Sequence, residues 1–388
     1  LWIVLQRSNF GVIAILGLVL RKSTMQTQPL EAQKTNWSQV YSLLALNAAI
    51  VISWIAYHNY QPKLLNLFHF EELSLFLVVA QALILILIPG TAGLVGDYMI
   101  RKNGNYFVVF TVGISVTAMV FMCLAFTIGA SSSINLTAAL PFMIVIWLIS
   151  MNIFHSPANS MLEIFAPAKE LPSAMALMVL TTELLYALEP WVVDFVDAIG
   201  PTYTFALGAM LLIATGYSFR KTTRDVKLSR DIDEAAAAQS SYLNVFTAGL
   251  ALGLAVAIIN NFVPLWMLSK KGIEVIATKQ SAYVSLILFV AALAAWPLSI
   301  QVNKMGVVKG LRIGLAGTFL CFALTYFLPV YIALAACVLA GLFFSLASVA
   351  AFPYALGNLA PKNVTLGAGL FFGSIELAQG LISIVENL

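Results

Sequence analysis

Residues 89–104 read PGTAGLVGDYMIRKNG, from Pro89 to Gly104. Asp97 stands at the edge of an apolar run over 72–97, and Arg101 and Lys102 follow one helical turn later. A second apolar run, 105–129, begins directly after Gly104. Each run meets the roughly 20 residues that an α-helix needs to cross a ~30 Å hydrocarbon core. The stretch is therefore the tight polar turn of a transmembrane hairpin. Gly93 and Gly96 allow a neighbouring helix to come close. Asp97 can pair with basic groups or with a helix N-terminus. Scanning outward with the same length criterion predicts eleven spans, near 39–60, 72–97, 105–129, 136–155, 172–193, 201–219, 242–268, 280–302, 308–328, 330–352 and 365–385. Residues 2–20 are a twelfth candidate, interrupted by Gln6, Arg7, Ser8 and Asn9.

Composition agrees. The 388 residues are 61% hydrophobic and 10% charged, with a mean hydropathy of +0.94. A soluble domain carries about 25% charged residues. Soluble, disordered and disulfide-stapled classes are excluded. A membrane barrel is excluded too, because its strands alternate apolar and polar residues and these runs are continuous. The net charge of +3 carries no nucleic-acid signal. Cys123, Cys321 and Cys337 lie inside apolar runs without metal-type spacing and read as core residues. No phosphate-binding glycine loop, nucleophile triad or metal spacing is present. Neither enzymatic chemistry nor a cofactor is expected.

Lys and Arg set the orientation. With alternate loops on alternate sides, Arg7, Lys63, Lys270, Lys271 and Lys279 face one side, and the remaining 15 of the 20 face the other. The richer side is cytoplasmic. The charged stretch 220–241 then reads as a cytoplasmic linker between two bundles, 25–219 with six spans and 242–388 with five. By this orientation Leu1 and Leu388 both lie outside. Residues 1–24 would then supply the missing twelfth helix beside the C-terminal bundle, in a circularly permuted order. An extra N-terminal helix is the plainer alternative.

The second half carries a worn copy of the hairpin turn, in which Asn303-Lys304-Met305-Gly306 places Asn303 where an acid is expected. Asp97 and Asn303 are separated by about one six-span repeat. This pair of loops resembles the signature motif of the major facilitator superfamily. The glycine seven residues after Asp97 resembles the sugar–cation symporter branch, with its glycoside–pentoside–hexuronide and sucrose–proton carriers. The stretch 341–380, with Pro353-Tyr354-Ala355, Pro361, Gly367, Gly369 and Gln379, looks like helices ten and eleven of that branch. Residues Ser53–Pro62 look like its first helix, and 156–176 like its loop between helices four and five. The resemblance covers most of 39–388. Departures are Tyr98 in place of a basic residue and Pro157-Ala158-Asn159 where an Arg is usual. The resemblance implies an all-α membrane protein of the major facilitator fold, with two six-helix bundles and 12 transmembrane helices. Gly93, Asp97, Arg101, Gly104, Glu163, Asn303 and Gly306 would be its gate and motif residues.

Charged groups at membrane depth are costly and point to function. Glu183 in span five and Glu376 in span eleven are candidates for proton coupling. Glu376 and Gln379, three residues apart, share a helix face. Trp54, His58, Asn59, Asn260, Asn261, Glu376 and Gln379 are candidate solute contacts: an aromatic face for a sugar ring, and amides for hydroxyls. Asn47 and Asn152 are weaker ones. The expected function is alternating-access transport of a small polar solute, a sugar or glycoside first, coupled to H+ or Na+. The expected setting is the lipid bilayer of a bacterial inner membrane. The alternatives are another organic solute, or a non-transporting subunit that uses the fold as a scaffold for partner subunits.

Overall fold

The computed structural model describes residues 34–70, 74–104, 107–129, 139–224, 226, 239–268 and 281–387. The expected twelfth helix over 1–24 and most of the linker 220–241 lie outside the described residues. Eleven main helices follow, numbered by span: α1 Trp37–Leu67, α2 Ser74–Asn103, α3 Phe107–Gly129, α4 Leu140–Ser160, α5 Leu171–Ala187 and α6 Pro201–Thr223. The second set is α7 Tyr242–Ala257, α8 Ser281–Met305, α9 Val307–Phe327, α10 Val330–Gly357 and α11 Val364–Asn387. No strand occurs among the described residues. In hydrocarbon only a helix satisfies its own backbone groups, so long apolar runs leave the chain no other choice.

Several helices depart from the simple span picture, α2 and α10 among them, which run past residues 97 and 352 to Asn103 and Gly357. α1 continues helical through Pro62 to Leu67, which carries it beyond the expected end near residue 60. It closes with His69 at φ 60°, the Phe70 N–H donating to Leu65 O and the His69 N–H to Asn66 O. These are the paired bonds of a Schellman cap. α4 likewise continues past residue 155 to Ser160. The fifth span is broken: α5 ends at Ala187, and Glu189–Ile199 continues at an angle of 61°. Pro190 is the cause, since proline lacks the N–H the helix needs and its ring collides with a carbonyl one turn back. Span seven contains a widened π-turn, Ile258–Phe262, with the Val263 N–H reaching back to Ile258 O. The extra residue relieves the clash that Pro264 would impose on the preceding turn.

Helices α1–α6 pack mainly among themselves, as do α7–α11, and two broad seams join the sets. One is α2 against α11, the other α5 against α8. α4 also touches α11, and α10 touches α5. The α2–α11 seam is close because its small residues interlock. A Cβ on Gly93 would sit 2.4 Å from Thr365 O, and one on Gly369 would sit 2.0 Å from Pro89 O.

Candidate functional site

One end of both seams, the end expected to face the cytoplasm, is latched. The Asp97 side chain, only 3% exposed, accepts the Thr365 N–H at 3.2 Å and the Leu366 N–H at 2.8 Å. Both donors belong to the first turn of α11, whose N–H groups have no intrahelical partner. A carboxylate there also meets the positive end of the helix dipole. α4 reinforces the contact: the Ser156 hydroxyl donates to Thr365 O at 3.1 Å, and the Ser160 hydroxyl to the Thr365 hydroxyl at 3.4 Å. At the other seam, Asn303 near the end of α8 donates to Ser173 Oγ at 2.9 Å, in the first turn of α5. Glycines with positive φ close both loops, Gly104 at 68° and Gly306 at 90°. Arg101 is exposed, and the Lys102 ammonium lies 5.8 Å from the Tyr98 ring centre. Glu163 is half buried and engaged within the short helix Leu162–Phe165 between α4 and α5.

Two carboxyls sit deeper, at matched heights. Glu183 is ten residues beyond Ser173 on α5, and Glu376 is ten residues beyond Leu366 on α11. At 1.5 Å per residue each lies about 15 Å above its latch, half the thickness of a hydrocarbon core. Both are half buried. Tyr186, one turn above Glu183, is within electrostatic reach of Glu376, Glu189 and Glu183. α11 carries Phe372 one turn below Glu376, and the His155 ring of α4 lies 4.9 Å from it. Phe352 of α10 lies 5.2 Å from the same ring. Gln379 is half buried on the same side of α11, one turn above Glu376.

Trp54 and His58 come together with a centroid distance of 5.5 Å, and Trp147 backs Trp54 edge-on at 5.1 Å. Tyr57 stacks on Trp147 at 4.5 Å and donates its hydroxyl to Gln81 Oε1 at 3.1 Å. Asn47 donates to Thr182 Oγ1 at 2.7 Å, tying α1 to α5, and Asn152 donates to its own helix at Leu148 O. Asn59 is engaged elsewhere. Its amide donates to Asp197 Oδ1 at 2.9 Å, beside the Lys63–Asp197 ion pair at 2.8 Å. This outer clasp fixes Glu189–Ile199 to α1. Asn260 is exposed and Asn261 half buried on the π-turn.

Solved structures share the helix arrangement across nearly the whole chain. The fucose–proton symporter of E. coli matches with a TM-score of 0.63 at 14% identity, covering 89% of this chain and 90% of that one. A bacterial homologue of the iron transporter ferroportin, in an outward-facing state, matches with a TM-score of 0.69 at 10% identity, covering 90% and 92%. The proton–xylose symporter XylE matches with a TM-score of 0.62 at 11% identity, covering 90% and 89%. This is the major facilitator fold. No protein-family model and no curated protein matches the chain.

In the major facilitator fold of this chain, span order relates α2 to α8 and α5 to α11, six spans apart. The latches Asp97–Leu366 and Asn303–Ser173 are thus repeat-related, and so are Glu183 and Glu376. His155, Trp147 and Phe372 were not among the residues singled out from the sequence. His155 carried a usable signal, as an ionisable residue inside an apolar run; Trp147 and Phe372 look like ordinary membrane residues until packing is known. Gly306 gives a local test of the latch region. Its φ of 90° with ψ of 147° is a conformation nearly reserved for glycine. Gly306→Ala is expected to cost about 1–3 kcal/mol, read as a lower unfolding temperature in detergent. The outer clasp is expected to matter far less. Lys63 and Asp197 are 50% and 42% exposed, and such pairs contribute about 0–1 kcal/mol. Lys63→Ala is expected to leave the unfolding temperature within a few degrees of the parent.

Proposed function

We propose that this chain is a secondary active transporter of a bacterial inner membrane, moving a small polar solute by proton-coupled alternating access, with a sugar or glycoside as the first class of solute. The observation that carries this reading is the matched pair Glu183 and Glu376, one from each half, half buried near mid-membrane. A carboxyl at that depth is expensive to keep without a use, and it can take and release a proton as the halves rock. The cytoplasmic latches around Gly93, Asp97, Asn303 and Gly306, with Glu163 nearby, serve as the gate that opens to the cell interior. Trp54 and His58 offer an aromatic face to a sugar ring, and Asn260, Asn261 and Gln379 offer amides to hydroxyls. Support for a sugar comes from the resemblance of residues 341–380 to sugar–cation carriers and from fold neighbours that carry fucose and xylose.

Uptake of labelled mono- and disaccharides into proteoliposomes, with and without an inward proton gradient, tests the proposal. Gradient-driven uptake is expected in the parent and is expected to be lost in Glu183→Gln and in Glu376→Gln. No uptake of any sugar by folded protein removes the sugar assignment and moves the weight to another solute or to a scaffold role in a larger membrane complex.

A further inference from the structure

We propose that the segment Glu189–Ile199 lies in the lipid interface at the end of the molecule opposite the latches, with Trp191 and Phe195 set into the boundary between phospholipid headgroups and acyl chains. The inference needs only the fold and goes beyond the transport reading. The first support is the division of this helix into three edges. Trp191 and Phe195 are four residues apart, so they share one edge, and they are 64% and 62% exposed. Ala198 completes that edge and is exposed too. Asp194 and Asp197, three apart, form the adjoining edge, and both are exposed. The remaining edge is bound to the bundle. Val196 is buried, and its carbonyl accepts the Tyr60 hydroxyl at 2.8 Å and the Thr204 hydroxyl at 3.3 Å. With α1 and α6 holding that edge, the aromatic and acidic edges cannot exchange places. An apolar stripe beside a charged one is the pattern of a helix lying in a membrane surface, and tryptophan favours that layer.

The second support is height. α5 covers Leu171–Ala187, 17 residues or about 25 Å. The 11 residues of Glu189–Ile199, inclined at 61°, add about 8 Å along the axis of α5 and about 14 Å across it. The segment thus runs from about 25 to about 33 Å above the start of α5, through the edge of a ~30 Å hydrocarbon core. Its neighbours end at the same level. Gly200, with φ 81°, turns the chain straight into α6. A Cβ on Gly129, the last residue of α3, would lie 3.4 Å from the Thr202 side chain in the first turn of α6. Phe126 near the end of α3, Phe142 in the first turn of α4 and Tyr203 in the first turn of α6 are all exposed. These rings cap membrane spans. Trp191 and Phe195 continue the same exposed aromatic surface, so the lipid that meets the spans is what covers them.

The test uses the full chain in vesicles of phosphatidylethanolamine and phosphatidylglycerol, in a background without Cys123, Cys321 and Cys337. Trp191→Cys, Asp194→Cys, Phe195→Cys and Leu207→Cys each carry a nitroxide label. Relaxation by molecular oxygen and by a water-soluble nickel chelate reports the depth of the label. Leu207 of α6, an exposed residue of a span, is the reference for a lipid-facing site. The Trp191→Cys and Phe195→Cys labels are expected about 5–10 Å below the headgroup boundary, with oxygen the stronger relaxer. The Asp194→Cys label is expected outside it, with nickel the stronger. Two positions on the aromatic edge keep the result readable if one variant fails to fold. Nickel-dominated relaxation at Trp191, Asp194 and Phe195 alike would put the segment in water and overturn the proposal. Oxygen-dominated relaxation at all of them would make it a plain continuation of the fifth span, which overturns it as well. Protection of the aromatic edge from both reagents would mean that a protein surface covers it, and would overturn it too.

Discussion

Gly369→Val is expected to part α11 from α2 and to cost about 3 kcal/mol or more in stability, at the upper end of overpacking effects. The first atom of any side chain placed there would lie 2.0 Å from Pro89 O, 2.6 Å from Pro89 C and 3.0 Å from Gly90 Cα. All three are backbone atoms of a helix, so no rotamer change relieves the overlap. Only a shift of the whole helix does, and that shift would pull Asp97 away from the first turn of α11. Gly380 on the same face is the control. Its added Cβ would meet only the Ala82 side chain at 3.3 Å and its Cα at 3.9 Å, so Gly380→Ala is expected to cost no more than about 1 kcal/mol. Thermal unfolding of both variants in one detergent checks the contrast. Equal effects would mean that the two ends of the seam are packed alike.

Asp97→Ala is expected to release the cytoplasmic latch. The change leaves the Thr365 and Leu366 N–H groups without their acceptor and removes a charge from the helix end. Charge-assisted hydrogen bonds contribute about 1.5–3 kcal/mol each, so a loss of about 3 kcal/mol would shift the closed-to-open ratio by about a hundredfold. The expected readout is faster labelling of a cysteine placed at Ala158, which is 1% exposed near the cytoplasmic end of α4, in a background without Cys123, Cys321 and Cys337. Asn303→Ala removes one neutral hydrogen bond, about 1 kcal/mol, and is expected to speed labelling only about fivefold. Unchanged labelling in Asp97→Ala would show that the latch does not hold this side shut.

Much of the architecture is legible in the sequence, for a physical reason. Spanning a bilayer demands length and apolarity, so each of the eleven helices is written locally. Asp97 is legible as well, because an acid at the end of an apolar run must find donors, and a helix N-terminus has them. The break near Leu188 is harder to see. The run around it stays apolar enough to span, and only Pro190 marks the fault. The π-turn before Pro264 is hidden likewise, since proline predicts strain but not how it is relieved. Ser156 and Ser160 are invisible as latch residues, because one serine in a helix resembles another until its hydroxyl is traced to a partner. The matched placing of Glu183 and Glu376 needed only counting from each latch, but which residue of α5 answers Asn303 becomes known only when Ser173 is seen beside it.

The break in α5 has a mechanical consequence for that pair. Glu376 rides on one unbroken rod, Val364–Asn387. Glu183 rides on a short arm, Leu171–Ala187, with a joint at its upper end and the neutral Asn303–Ser173 contact at its lower end. Bending at that joint would swing the short arm against the outer segment and carry Glu183 with it, while Glu376 keeps its place on the straight rod. A relative motion of the two carboxyls is then asymmetric, with the fifth span as the moving member.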